Sequence, residues 1–186
     1  MQIEVTFAGF GGQGVLAIGQ ILALAGMEDG KHVIWLPSYG PEMRGGTAYC
    51  SVVIADHPIG SPIISQPSCV AVMNRPSFDK FVPHIKPNGL LIVNSSLIDI
   101  RSDRADIDQV YIPANDLAVK AGNAKAANMP ILGAFAARNG AIEPKLIREA
   151  VEHKLGGKKD LLAINLQLFD QGFEAAAHAS ARAAVS

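Results

Sequence analysis

The fold of this chain is decided by the stretch Phe7-Ala8-Gly9-Phe10-Gly11-Gly12-Gln13-Gly14. It continues an apolar run that starts at Ile3, and it leads into an apolar, helix-patterned segment from Val15 to Ala25. Four glycines within six residues allow a tight turn that exposes the backbone. The stretch therefore predicts a strand, a glycine turn and a helix N-terminus, an arrangement that suits phosphate binding.

Beyond this unit, short apolar runs alternate with helix-patterned segments. The further predicted strands are His32–Leu36, Thr47–Ala55, Cys69–Met73, Leu90–Val93 and Val110–Pro113. The predicted helices are Pro76–Val82 entered through Asn74 or Ser77, Asp116–Gly122 capped by Asn115, Ala126–Arg138, one from Glu143-Pro144 and one from Asp160 into the alanine-rich tail. This alternation predicts an α/β, Rossmann-like fold with a mostly parallel, helix-covered sheet and a helical C-terminal part, in one domain over residues 1–186.

The composition excludes several classes of function. The chain is 49% hydrophobic and 18% charged with a net charge of −1, which is typical of a globular protein. No cluster of lysines and arginines exceeds two neighbours, so a nucleic-acid partner is not expected. No apolar run approaches the roughly 20 residues of a membrane span. The N-terminus begins with a strand and shows no signal-peptide pattern, so we expect a cytoplasmic protein.

The chain also lacks a recognisable catalytic or metal-binding pattern. Cys50 and Cys69 each lie in an apolar strand-like run and read as buried thiols, whereas an iron–sulfur cluster needs about four thiolates. The five histidines are scattered without ligand spacing, and no serine is framed as Gly-x-Ser-x-Gly. We therefore expect no catalytic residue and no metal ligand here, and any redox centre must lie in another chain.

Gly9, Gly11 and Gly14 match the dinucleotide pattern G-x-G-x-x-G. That site also needs an acidic residue at the end of the second strand, and the stretch Leu36-Pro37-Ser38 that closes this strand contains none. The P-loop pattern fails too, because no lysine and hydroxyl residue follow Gln13 and its glycine. Two readings remain: a backbone that a ligand or partner approaches closely, with Gln13 able to hydrogen bond, or a glycine turn that only permits tight packing.

The segment from Ser38 to Thr47 is a less common sequence feature than the glycine loop. Its prolines fix φ and its glycines permit unusual dihedral angles, so we expect the loop to hold a defined conformation. Tyr39 offers a flat face with a hydroxyl, and Glu42 and Arg44 offer opposite charges. The loop leaves the carboxyl end of the second strand, where α/β sheets bind ligands, and we expect it near the glycine loop. The alternative is a solvated Glu42–Arg44 ion pair on a surface turn.

These two loops together carry a family resemblance. Residues 9–14 and 38–47, with the later stretches 87–95 and 122–129, resemble the gamma subunit of 2-oxoacid:ferredoxin oxidoreductases. The chain is most similar to the gamma chains of the 2-oxoglutarate and 2-ketoisovalerate types. The resemblance implies a complex that converts a 2-oxoacid, 2-oxoglutarate as the best candidate, and coenzyme A into acyl-coenzyme A, carbon dioxide and reduced ferredoxin.

The resemblance also implies partners and cofactors. The partners are alpha, beta and ferredoxin-like delta subunits, with ferredoxin as the electron acceptor. Thiamine diphosphate, Mg²⁺ and an iron–sulfur cluster are expected in the other chains, and the isolated gamma chain is expected to be inactive. Coenzyme A is expected at the entrance that this chain lines.

By the same resemblance, the candidate binding residues come from the two loops. They are Gly9, Gly11, Gly12, Gln13, Gly14, Ser38, Tyr39, Gly40, Glu42, Arg44, Gly45, Gly46 and Thr47. Arg44 and the helix N-terminus are expected to bind the phosphates of coenzyme A. Two alternatives stay open: a self-contained nucleotide-binding dehydrogenase, and an assembly module whose loops only pack against partners.

The small-residue segment from Ala121 to Ala137 has two interpretations as well. Asn123, Asn128 and Arg138 are polar among alanines, which favours a contact with another subunit. Alternatively, small residues permit close helix packing inside the domain.

Overall fold

The computed structural model describes residues 1–38, 47–157 and 159–183. Its strands are β1 (Gln2–Phe10), β2 (His32–Ser38), β3 (Thr47–Ala55), β4 (Cys69–Val72), β5 (Leu90–Asn94) and β6 (Asp108–Ile112). Its helices are α1 (Val15–Glu28), α2 (Arg75–Phe81), α3 (Ala114–Lys120), α4 (Asn128–Arg138), α5 (Pro144–Leu155) and α6 (Lys159–Ala183). Short 3₁₀ turns lie at Val82–His84 and Ala124–Ala126.

The six strands form one sheet in the order β2-β3-β1-β4-β5-β6. The pairs β1–β4, β4–β5 and β5–β6 are parallel, whereas β3 pairs antiparallel with both β1 and β2. Five described strands therefore run in one direction and β3 alone opposes them. This confirms the mostly parallel α/β sheet, and it adds the insertion of β3 between the first two strands.

The two faces of the sheet are covered unequally. Helices α1, α4, α5 and α6 pack on one face and form the larger core, in which the rings of Phe7 and Phe135 meet edge to face at 6.0 Å. The other face has a smaller core, where Phe78 of α2 and the following Val82 cover Val70 and Val72 of β4. Connections after β1 and β4 thus leave on opposite faces, which is the topology of a doubly wound sheet.

Helices α4 and α6 pack closely because each presents a glycine to the backbone of the other. A Cβ at Gly133 would collide with the Phe169 carbonyl, and one at Gly172 would collide with the Pro130 carbonyl. Close packing within the chain therefore accounts for small residues in α4, and the helical C-terminal part is confirmed. Among the residues that the structure describes, no helix is both long and apolar enough to cross a membrane.

Of the two N-caps predicted from the sequence, the one for α2 is confirmed and the one for α3 is wrong. Asn74 caps α2, because its Oδ1 accepts a hydrogen bond from the Ser77 N–H at 2.8 Å. Asn115 does not cap α3, since that helix already begins at Ala114. The Asn115 Oδ1 instead accepts a 2.7 Å hydrogen bond from the side chain of the buried Asn94, which ties α3 to the end of β5.

Candidate functional site at the carboxyl edge of the sheet

The glycine loop lies at the carboxyl edge of the sheet, between the end of β1 and the start of α1. The neighbouring strand in the parallel direction is β4, whose register pairs Ala8 with Val72. Because α1 and α2 leave on opposite faces, a crevice is expected between the carboxyl ends of β1 and β4. In doubly wound sheets this crevice is where ligands bind.

Gln13 spans this crevice with its own side chain. Its Oε1 accepts a hydrogen bond from the Phe10 N–H at 2.6 Å, and its Nε2 donates to the Met73 carbonyl at 3.2 Å. The backbone N–H of Gln13 also donates to the Phe10 carbonyl at 3.1 Å. Gln13 therefore joins the ends of β1 and β4, and both ends of its amide are engaged within the chain.

Two glycines of the motif leave room for side chains of this protein. A Cβ at Gly9 would lie 2.6 Å from Oε1 of Gln13 and 2.8 Å from Cβ of Met73. A Cβ at Gly14 would lie 2.9 Å from Cγ of Asn128, and the Asn128 side chain donates to the Gly14 carbonyl at 3.1 Å. In a dinucleotide site the first and third glycines of this motif likewise serve the turn and close helix packing, whereas the second, here Gly11, is the one that lets a ligand approach.

The tip of the loop is the open part. Gly11 and Gly12 are exposed, and a Cβ at Gly12 would meet no atom within 4 Å. Gly12 has a φ of 91° and Gly14 a φ of 74°, both in the left-handed region that favours glycine. The first turn of α1 carries no acidic residue and no side-chain cap, so no side chain of that turn neutralises the positive end of the helix dipole beside this tip.

The second loop starts and ends beside the first. Thr47, the residue that begins β3, is paired with Phe10 at the end of β1. Ser38 at the end of β2 is paired with Tyr49, two residues further along β3. The flanks of the second loop thus lie at the same edge as the glycine loop.

Six candidate residues between these flanks lie outside the described part of the chain. These candidates are Tyr39, Gly40, Glu42, Arg44, Gly45 and Gly46. Their roles therefore stay predictions from the sequence.

The sheet order weakens the dehydrogenase alternative. A dinucleotide site places the end of the second strand next to the first, so that an acidic residue reaches the ribose. Here β3 lies between β1 and β2, which puts the end of β2 about 10 Å from the end of β1. Ser38 at that position has no carboxylate, so both the residue and its distance are unsuited to this role.

The residues present do not fit a metal or cluster. Burial raises the pKa of the Cys50 thiol to about 12, and it raises the pKa of the Cys69 thiol as well, so neither is a ready thiolate. Within the described ranges, no group of three or more histidine, cysteine, aspartate or glutamate side chains is placed to hold a metal ion. We therefore derive no chemical step through thiamine diphosphate or a cluster on these residues.

Sequence reasoning missed two residues that shape the site. Met73 supplies the carbonyl that holds Gln13, and a backbone acceptor of this kind leaves no sequence signal. From the sequence, Asn128 was only a polar residue among alanines, and we expected it to contact another subunit. It is buried and bound to the glycine loop, and Arg138 likewise pairs with Asp108 of the same chain.

Comparisons with known proteins agree with this fold. The pyruvate ferredoxin/flavodoxin oxidoreductase family matches residues 4–175. Ketoisovalerate oxidoreductase subunit VorA of Methanothermobacter thermautotrophicus is 36% identical over 93% of this chain and 36% of its own length. The chain thus spans little more than a third of that relative. 2-Oxoglutarate synthase subunit KorC of Methanocaldococcus jannaschii is 30% identical over 95% of each chain.

A solved structure shares the fold. It is 2-oxoglutarate:ferredoxin oxidoreductase from Magnetococcus marinus, with 2-oxoglutarate, coenzyme A and succinyl-CoA bound. The TM-score is 0.84 at 24% identity, and the match covers 96% of this chain and 31% of that one. The family match covers most of the chain and the KorC match nearly all of both proteins, so the chain belongs to the pyruvate ferredoxin/flavodoxin oxidoreductase family.

Proposed function

We propose that this chain acts as the non-catalytic gamma subunit of a thiamine-diphosphate-dependent complex. The complex oxidatively decarboxylates a 2-oxoacid with coenzyme A, giving acyl-coenzyme A, carbon dioxide and reduced ferredoxin. Alpha and beta chains hold thiamine diphosphate and Mg²⁺, and the cluster lies in other chains or a ferredoxin-like delta subunit. This chain lines the entrance through which coenzyme A reaches the catalytic centre.

One observation carries the proposal. The open tip at Gly11 and Gly12 and both flanks of the second loop, Ser38 and Thr47, share one edge of the sheet. Two family-specific loops on one edge support a single contact surface toward a ligand or a catalytic partner.

The chemistry of this edge suits the phosphates of coenzyme A. The first turn of α1 presents N–H groups without a competing acidic residue, and Arg44 supplies a guanidinium close by in sequence to Thr47. A diphosphate needs such charge-assisted donors. The solved 2-oxoglutarate oxidoreductase contains bound coenzyme A, which makes this ligand the first probe to use.

The choice of oxoacid is proposed to lie in the other subunits. Relatives named for ketoisovalerate and for 2-oxoglutarate match this chain at 36% and 30% identity, so its sequence separates the two substrates poorly. We propose 2-oxoglutarate as the substrate. Activity of the reconstituted complex on 2-oxoglutarate, pyruvate and 2-oxoisovalerate tests this, and a preference for either of the other two acids would overturn it.

The coenzyme A role is tested with Arg44→Ala in the reconstituted complex. Loss of a charge-assisted hydrogen bond worth about 1.5–3 kcal/mol should raise the KM for coenzyme A about ten- to a hundredfold. The KM for the oxoacid should stay unchanged. Lys145→Ala is the matched control, because Lys145 is an exposed cation on α5.

Other outcomes assign the loop differently. An unchanged KM for coenzyme A in Arg44→Ala would remove this residue from the proposed entrance. Loss of assembly with normal coenzyme A dependence in the remaining complex would instead favour the assembly-module alternative.

A further inference from the structure

A groove of about 350 Å³ opens beside the N-terminus of α1. Ala17 and Ile21 of α1 line one side, Met129 of α4 another, and Leu155 and Leu161 of the α5–α6 region a third. Ile21 and Met129 are buried, whereas Leu161 is 41% exposed. The groove therefore has an apolar floor and a large aliphatic side chain at its rim.

The rim of this groove is basic. Lys125 and Lys154 line it with exposed side chains, and neither forms an ion pair with another residue in the described ranges. No acidic side chain of the described chain lines the groove, although Asp160 lies nearby in the first turn of α6. The uncapped first turn of α1 adds the positive end of a helix dipole. A carboxylate entering the groove would meet positive potential from both lysines and from the helix.

We propose that this groove docks an apolar segment flanked by carboxylates, contributed by a catalytic chain of the complex. The inference rests on the proposed function, because that function supplies the catalytic partner. An apolar floor binds a buried hydrophobic anchor, and a basic rim selects acidic flanks and rejects basic ones. Gly14 lines the groove and ends the glycine loop, so docking here holds the loop tip against the partner.

Ala17→Glu separates docking from a merely structural role. Ala17 is the third residue of α1, where a glutamate favours the helix dipole and should raise the melting temperature. The same carboxylate would occupy the groove and neutralise Lys125 and Lys154. We expect a more stable chain that binds purified alpha and beta subunits about tenfold or more weakly, measured by biolayer interferometry.

Leu161→Asp removes the apolar rim without touching the sheet. It should also weaken binding about tenfold or more, because it places a charge where the anchor docks. Met27→Asp is the matched control. Met27 is 64% exposed at the other end of α1, away from the groove, and its variant should bind within about twofold of the wild type.

Each further outcome overturns the inference in a recognisable way. Wild-type binding by both groove variants would overturn the docking site and leave the proposed function intact. Normal binding with a raised KM for coenzyme A would assign the groove to the ligand and overturn docking. Failure of the wild-type chain to bind any alpha and beta subunits would overturn the proposed function together with this inference.

Discussion

The two edges of the sheet differ in how their charges are arranged. At the amino edge, the N-terminus and Lys31 both bind Asp56, at 2.9 and 2.8 Å, and Arg138 pairs with Asp108. At the carboxyl edge, Lys125 and Lys154 line an open groove without ion pairs in the described chain. The amino-edge charges named here pair with each other and the two groove lysines do not, although Arg75 and Asp79 at the start of α2 also form an ion pair.

Large apolar side chains are exposed at both edges, and at the amino edge Met1 is 46% and Met27 64% exposed. Phe10 ends β1 and is 39% exposed, Leu36 lies near the end of β2 at 40%, and Leu97 follows β5 at 48%. The amino edge also has a cavity of about 220 Å³, in which Arg138 and Asp108 form an ion pair with each other. The difference predicts that substitutions at the amino edge alter stability alone, whereas those at the carboxyl edge also alter assembly or activity.

The largest expected effect is that of Gly14→Ala. The left-handed backbone at this glycine costs an alanine roughly 1–2 kcal/mol, and the new methyl would overlap the Asn128 side chain at a further roughly 1–3 kcal/mol. The free energy of unfolding, measured in urea, should fall by about 2–5 kcal/mol. This base of the loop is structural even though it lies at the carboxyl edge.

The double variant Gly14→Ala/Asn128→Ala isolates the overlap. Removing the Asn128 side chain should recover part of the loss, so the two effects should not add. Strict additivity would show that Asn128 does not confine the loop, and that the loss arises from the backbone conformation alone.

Gly12→Ala and Gly30→Ala compare the two edges directly. Both glycines are exposed, have positive φ values of 91° and 70°, and have no atom within 4 Å of an added Cβ. Each alanine should lower the free energy of unfolding by roughly 1–2 kcal/mol, from backbone strain alone. Gly12 is at the loop tip and Gly30 is in the turn after α1, at the amino edge.

Only one of this pair should change function. At a temperature where both variants are fully folded, Gly12→Ala should lower the activity of the reconstituted complex, because its methyl obstructs the backbone approach of a ligand or partner. Gly30→Ala should leave activity at the wild-type level. Equal activities of the two variants would remove the functional distinction between the edges.

The fold could be predicted from the sequence because its signals are local. Apolar runs and glycine turns placed β1, β4 and β5 to within about two residues, and Asn74 was one of the two residues predicted to begin α2. The position of β3 between β1 and β2 had no such signal, because strand order depends on pairing between distant segments. Sequence placed Thr47 at a strand start, and only the register with Phe10 brings it to the glycine loop.

The site was predicted less completely than the fold. The glycines were identified, but the reason for Gly9 is the Gln13 amide and the reason for Gly14 is Asn128, which is 114 residues away along the chain. Such contacts require the tertiary structure. Asn115 shows the opposite error. Its residue type favours an N-cap, but it lies inside α3, where its Oδ1 accepts a hydrogen bond from the Asn94 side chain.

The smallest expected effect is a change in the pH dependence of stability at the amino edge. Hydrogen bonds from Lys31 and the N-terminus lower the pKa of Asp56 from its ordinary value near 3.8 to about 2. Because the folded pKa is the lower one, this carboxylate favours the folded state fully above its ordinary pKa, and the contribution is lost as the pH falls toward 2. Asp56 is about half exposed, so solvent screening keeps the effect small.

In urea unfolding, Asp56→Asn should be less stable than the wild type at pH 6, with the difference shrinking between about pH 4 and pH 2. Activity of the complex at neutral pH should be unchanged. A constant difference across this range would mean that the ion pairs of the amino edge do not act through the charge of Asp56, and a loss of activity would mean that this edge also takes part in assembly.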